Sequence, residues 1–147
     1  MLIRPATAAD ISAMMALEHT SVTAAHWPQH QYEAVFGDSA CRLAFALEEE
    51  GKLQAFLIAR AVADEWELEN IAVAGTARRR GLGSRLLGKF LDHVRGAGGK
   101  AVFLEVRESN HAAQALYEKW AFEECGRRLK YYRQPEEDAV TYRISLA

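Results

Sequence analysis

The chain has 147 residues, half of them apolar and 26% charged, an ordinary globular composition long enough to bury a core without disulfide or metal staples. Eighteen basic against twenty acidic side chains leave a formal charge of −2, which speaks against a dedicated nucleic-acid binder, since those carry a basic excess. No apolar run approaches the roughly 18 residues of a membrane span, and residues 1–5 do not read as a signal peptide, so one cytoplasmic domain over residues 1–147 is expected, away from membranes.

Only two cysteines occur, Cys41 and Cys125. They have no metal-ligand spacing and read as free thiols in a reducing compartment. No repeat, low-complexity tract or linker divides the chain. Residues 2–4 read as a short strand ended by Pro5. Thr7 then starts a helix, with Asp10 three residues on as in a capping box. Ile11, Met14, Met15 and Leu17 give that helix an apolar side as far as His19. Residues 21–28 are polar and irregular, and a second short helix covers residues 31–36. Strands at residues 43–48 and 52–62 flank the hairpin signal Glu50-Gly51.

The next strand spans residues 66–73, and its parity changes. Trp66 and Leu68 are apolar at even positions, Ile71 and Val73 at odd ones. Side chains alternate with period two, so the switch implies either one inserted residue, a β-bulge near Glu69-Asn70, or a strand buried on both faces. Residues 81–96 form the clearest helix, with Leu82, Leu86, Leu87, Phe90, Leu91 and Val94 on one face. Gly96, Gly98 and Gly99 stop it. Residues 101–106 are a compact apolar strand, and Ala112, Ala113, Leu116, Tyr117 and Trp120 mark a short helix. Strands at residues 124–132 and 139–146 close an α/β chain with a mixed sheet.

Arg78-Arg79-Arg80-Gly81-Leu82-Gly83-Ser84 lies between a strand and a helix start. Unpaired N–H groups and the dipole favour an anion there, and the glycines admit close approach of phosphates. The alternative is a solvated basic turn. Leu86 takes the third glycine place of a dinucleotide fingerprint, and no Gly-Lys-Ser/Thr follows, so the usual NAD and ATP readings lose ground. Glu105 sits inside the apolar run Val102-Phe103-Leu104-Glu105-Val106. It is either a base whose pKa burial raises or an exposed carboxylate paired with Arg107 or another cation. Tyr117 on the next helix is either a core tyrosine or the acid of the same site. Asn110 is either the N-cap of that helix or an amide offered to a ligand. The five histidines show no zinc-like spacing, so no metal is expected.

Together these residues resemble the GNAT superfamily of N-acetyltransferases over nearly the whole chain. Ile3-Arg4-Pro5-Ala6-Thr7 with Asp10, Asn70-Ile71-Ala72-Val73, and Arg78, Gly81 and Gly83 carry the likeness. Leu104-Glu105-Val106-Arg107 with Ser109-Asn110, Ala115-Leu116-Tyr117-Glu118, and the tail from Arg128 through Tyr131-Tyr132 to Glu137-Asp138-Ala139 are similar to the branch that acetylates the N-terminal alanine of a ribosomal protein. The resemblance implies a largely antiparallel sheet with flanking helices and a strand ending at Val73 that splays from its neighbour. It implies acetyl-CoA as co-substrate. Backbone groups at Ile71, Ala72 and Val73 would hold the pantetheine arm and polarise the thioester. Arg78, Arg79, Arg80, Gly81, Leu82, Gly83 and Ser84 would hold the diphosphate, and Asn110 would contact the pantetheine.

In the same likeness Glu105 is the general base, through water, and Tyr117 the acid for the leaving thiolate. The acceptor would be a protein or peptide N-terminus. Trp27, Tyr131 and Tyr132 fall on the acceptor side, and Glu67 and Glu69 with Glu105 would make its approach acidic. Direct attack needs no enzyme nucleophile. The chain departs from the pattern at Ala121, which stands where the family has a glycine of positive φ before Phe122. Residues 21–32, with His26-Trp27-Pro28, match only loosely. A small amine or a lysine as acceptor, and a non-catalytic acyl-CoA-binding module, are the other readings.

Overall fold

The structure is a computed structural model and describes residues 1–20, 27–37, 41–77, 80–133 and 135–146. In chain order they form β1 (Leu2–Pro5), α1 (Ile11–His19), α2 (Gln29–Gly37), β2 (Arg42–Glu49), β3 (Lys52–Val62), β4 (Glu65–Val73), α3 (Leu82–Gly96), β5 (Ala101–Arg107), α4 (His111–Lys119), β6 (Glu123–Tyr132) and β7 (Glu137–Ser145). The expected order of elements holds, with α2 beginning two residues earlier than its sequence pattern suggests. The Asp10 side chain accepts the Thr7 N–H at 2.8 Å and carries one half of the expected capping box, while Arg4 grips the same carboxylate at 2.8 and 2.9 Å.

The strands lie in one sheet in the order β1-β2-β3-β4-β5-β7-β6. Every pairing is antiparallel except that of β4 with β5. Glu50 and Gly51 take φ 53° and 76° between the paired Glu49 and Lys52, which is the two-residue hairpin of type I′. In β4, Leu68 faces Ala59 and Asn70 faces Ile58, so Glu69 is the inserted residue. The parity change is therefore a β-bulge.

Beyond that point β4 and β5 part. They pair only over Glu65–Glu67 and Ala101–Phe103, whereas β5 stays paired with β7 through Arg107. A bulge bends its strand and adds local twist, and here the bend opens a cleft between the two central strands.

Helices cover both sheet faces. The apolar side of α3 (Leu82, Leu86, Leu87, Phe90, Leu91 and Val94) packs into one core with Leu47, Leu57 and Leu104. On the other face Met14 and Leu17 of α1 and Tyr32 and Val35 of α2 close over Phe56 and Ile58. Each large side chain buried in this way contributes about 1.5–3 kcal/mol.

α3 and α4 end in the same hydrogen-bond pattern. After α3, Gly98 at φ 78° and Gly99 donate to the carbonyls of Arg95 and Val94. After α4, Ala121 and Phe122 donate to Glu118 and Tyr117. The pattern needs a left-handed residue, and Ala121 adopts it at φ 70°. The turn is thus kept although the family's glycine is absent.

Candidate active site

The cleft is lined by Leu68, Glu69, Asn70 and Ile71 of β4, Glu105, Val106 and Arg107 of β5, Asn110, Ala113 and Tyr117 from the start and body of α4, and Tyr132 of β6. A second cavity adjoins it across Leu68, Glu69, Glu105 and Tyr132 and runs out to Trp27, Gln31, Glu67 and Tyr131. The structure thus brings Glu105, Tyr117, Asn110 and Ile71 to one cavity. It puts the three aromatic residues read as acceptor-side, Trp27, Tyr131 and Tyr132, around the other.

Burial raises the Glu105 carboxyl above the ordinary carboxylate range, Arg128 opposes the rise, and Glu67 adds to it. Its partner is Arg128, with Nε 2.9 Å from Oε2, and not the adjacent Arg107. Arg107 instead meets the Pro135 carbonyl at 3.1 Å, Glu137 at 3.5 Å and the Tyr132 ring at 4.4 Å. The Arg128 contact is ionic but lacks hydrogen-bond alignment: Oε2 is buried and accepts no hydrogen bond among the described residues.

Tyr117 is buried between Phe122 and Tyr142. Burial, with a smaller contribution from Tyr132, pushes its phenol well above the usual value, so it stays protonated at neutral pH and has a proton to give. Burial likewise pushes Tyr132 up to about 12. Asn110 caps α4, its side-chain oxygen accepting the Ala113 N–H at 3.0 Å, and it lines the cleft as well. Both readings of that residue meet in one side chain.

Glu69, placed by the bulge in both cavities, is held by Arg42 at 2.7 Å, and burial raises its carboxyl. Glu67 is held by Arg60 at 2.8 Å. Residues 21–26, including His26, lie outside the described residues, but the anchor of the segment that follows is visible. Buried Glu18 accepts the Trp27 N–H at 2.5 Å and the Tyr32 hydroxyl, and Asn70 donates to that hydroxyl at 3.4 Å. Sequence reasoning missed Glu18. Its signal was spacing: with Met14 and Leu17 it completes the i, i+3, i+4 stripe that a helix buries.

At the start of α3, Gly81 is left-handed at φ 76°. As the N-cap it has no side chain with which to cap the helix, and among the described residues no acidic one stands in the first turn. Its first N–H groups are therefore open to an anion. A Cβ on Gly83 would meet only Leu116 and Val73 at 3.5 and 3.6 Å, so packing within the chain does not demand that glycine, whereas close approach of a ligand to the backbone would.

Leu82 is buried and offers its backbone alone. The Ser84 hydroxyl accepts the Trp120 indole N–H at 2.9 Å. Arg80, read as a diphosphate ligand, has both of its terminal nitrogens on Glu49, at 2.7 and 2.8 Å. Arg78 and Arg79 lie outside the described residues. Ile71, Ala72 and Val73 pair with β3 on one edge. Their other edge is beyond the pairing with β5, and Ile71 lines the cleft. Among the described residues no group of three or more His, Cys, Asp or Glu side chains is placed to hold a metal.

The model of the acetyltransferase (GNAT) family matches residues 11–122. The chain belongs to this family. The acyl donor of GNAT enzymes is acetyl-CoA. The chain is 41% identical over 107 residues to the [ribosomal protein bS18]-alanine N-acetyltransferase of Escherichia coli, covering 71% of this chain and 72% of that one. It is 44% identical over 79 residues to the N-alpha-acetyltransferase RimI of Mycobacterium tuberculosis, covering 54% and 48%. The solved ribosomal-protein-S18-alanine N-acetyltransferase of Escherichia coli superposes with a TM-score of 0.90 at 34% identity, over 99% of this chain and 94% of that one. The splayed sheet and flanking helices are the GNAT architecture.

Proposed function

We propose that residues 1–147 act as one cytoplasmic domain that transfers the acetyl group of acetyl-CoA to the free α-amine of a protein N-terminus, the N-terminal alanine of a ribosomal protein. The observation that carries this reading is the meeting of Glu105 and Tyr117 at one cleft, in a chain so similar to an enzyme named for that acceptor.

The N–H groups at the start of α3, with Arg78, Arg79 and the Ser84 hydroxyl, hold the diphosphate. The free edge of β4 at Ile71, Ala72 and Val73 holds the pantetheine arm and polarises the thioester carbonyl, and Asn110 contacts the arm. The acceptor enters past Trp27, Tyr131 and Tyr132. An α-amine has a pKa of about 7.7–8.0 against about 10.4 for a lysine, so a raised carboxylate is a sufficient base for it. Glu105 takes one proton from the ammonium, through water. The nitrogen then attacks the carbonyl carbon, the C–N bond forms and the C–S bond breaks. Tyr117 gives its proton to the thiolate, and the amine's second proton returns the phenolate to phenol.

The test is CoA release over an acceptor panel. A peptide with a free N-terminal alanine should turn over, while the same peptide blocked, a lysine peptide and small amines should not. Turnover on small amines or lysine alone would overturn the acceptor. Tight acetyl-CoA binding without turnover on any amine would make the protein an acyl-CoA-binding module.

A further inference from the structure

Three acidic side chains line the acceptor cavity, and each has an arginine. Glu69 and Glu67 are held by aligned hydrogen bonds from Arg42 and Arg60. Glu105 is not: Arg128 sits 2.9 Å away without alignment, and the buried Oε2 accepts no hydrogen bond among the described residues. A buried acceptor left in this way has a place for a donor.

The register explains how Arg128 gets there. Glu105 faces Thr141 of β7, and Thr141 faces Gly126 of β6. Gly126 has no side chain to fill the row, so Arg128, two residues along on the same face, reaches back over it. The Arg128 side chain is 63% exposed, and the same guanidinium that meets Glu105 also lies over the Tyr131 ring, 5.3 Å from the centroid.

We propose that Arg128 is an exchangeable counter-ion of Glu105: its guanidinium gives way to the acceptor's ammonium, whose bridging water donates to Oε2, and it stays on the Tyr131 face when it is displaced. The proposal rests on the base role given to Glu105 above. Stripping the partner from a buried charge is costly, but exchanging one cation for another keeps the carboxylate paired throughout. Once the ammonium has given Glu105 a proton, neither group attracts the other, and the acetylated product is neutral. When that proton passes to water, Arg128 returns. Arg128 is thus a positioning residue that keeps Glu105 paired between turnovers, competes with the incoming ammonium and helps to clear a neutral product.

The other charged or titratable groups around Glu105 are Glu67 and Glu69 from β4, Arg107 beside it on β5, Tyr131 and Tyr132 from β6, and Tyr117 from α4. Arg42, Arg60 and Glu137 already hold the first three. The experiment compares wild type with Arg128→Gln, Arg128→Lys and Glu105→Gln, using a peptide with a free N-terminal alanine and its acetylated form.

Two readouts are expected to move in Arg128→Gln. The acid limb of kcat/KM shifts to higher pH by about half a unit or more, the amine's own titration being common to both proteins. The preference for binding the free-amine peptide over the acetylated one, measured without acetyl-CoA, rises threefold or more. Arg128→Lys restores both. An unmoved limb or an unchanged preference in Arg128→Gln, with Glu105→Gln inactive, would overturn the exchange alone. Wild-type turnover in Glu105→Gln would overturn the base reading beneath it.

Discussion

The Trp120 indole N–H donates to Ser84 Oγ at 2.9 Å, from just beyond the end of α4 to the first turn of α3. With the serine oxygen accepting from Trp120, its own hydrogen is free to point toward the anion-binding turn. Ser84→Ala should therefore raise KM for acetyl-CoA about fivefold, the worth of about 1 kcal/mol for one hydrogen bond, with kcat little changed. Trp120→Phe should do the same, and the double variant should lose no more than either single one. Steady-state kinetics in acetyl-CoA decide it, and an unchanged KM in Ser84→Ala would remove Ser84 from the diphosphate site.

Gly83 separates ligand binding from folding. Its Cβ space is open to ordinary contact with Leu116 and Val73, and alanine is favoured over glycine within a helix by about 1 kcal/mol. Gly83→Ala should melt no lower than wild type, yet bind acetyl-CoA at least tenfold more weakly, because the methyl group stands where the diphosphate approaches the backbone. Calorimetric titration beside thermal unfolding tests both halves. Unchanged affinity would mean that the donor does not lie against this turn.

Ala121 carries strain that a glycine would relieve. A left-handed non-glycine residue costs about 1–2 kcal/mol, and φ there is 70°. Part of the gain is lost because glycine frees the unfolded chain by about 0.4–1 kcal/mol. Ala121→Gly should stabilise the protein by about 0.5–1 kcal/mol and lift Tm by about 2 °C or more, with kcat unchanged. A fall in Tm would show that the alanine methyl group makes a contact worth more than the strain.

What could be read from the sequence was written locally. The parity of Leu68 and Ile71 reveals the bulge because alternation is a property of one strand, and Glu50-Gly51 reveals its hairpin because Gly51 takes positive φ at no steric cost. Glu105 and Tyr117 stand out as polar groups in apolar runs. The counter-ion of Glu105 was not legible. It depends on β7 lying between β5 and β6 and on the gap at Gly126, neither of which has a local signal. The pairing of Arg80 with Glu49 and that of Trp120 with Ser84 likewise join elements far apart in the chain. Glu18 was within reach, since its spacing from Met14 is helical, but its partners Trp27 and Tyr32 lie beyond its own helix, and Asn70 of β4 reaches it only through the Tyr32 hydroxyl.

Glu105 should cost the protein stability for the sake of its chemistry. Burial raises its pKa in the folded state, so the native protein holds this proton more tightly than the unfolded chain does. Where the folded state binds more protons, stability falls as pH rises. The loss runs from the unfolded value of about 4.3 up through the raised folded value and is complete above it; below the unfolded value nothing is lost. Glu105→Gln removes the ionisation, so it should melt higher than wild type at pH 8, by a margin that shrinks as the pH is lowered toward 4. Its kcat should fall by about a hundredfold or more, the usual contribution of a positioned base. Thermal unfolding of both proteins across that pH range, beside CoA release at pH 8, gives the comparison. A margin that is constant with pH would mean that Glu105 is as readily ionised in the fold as in the unfolded chain, and retained turnover would mean that the proton leaves by another route.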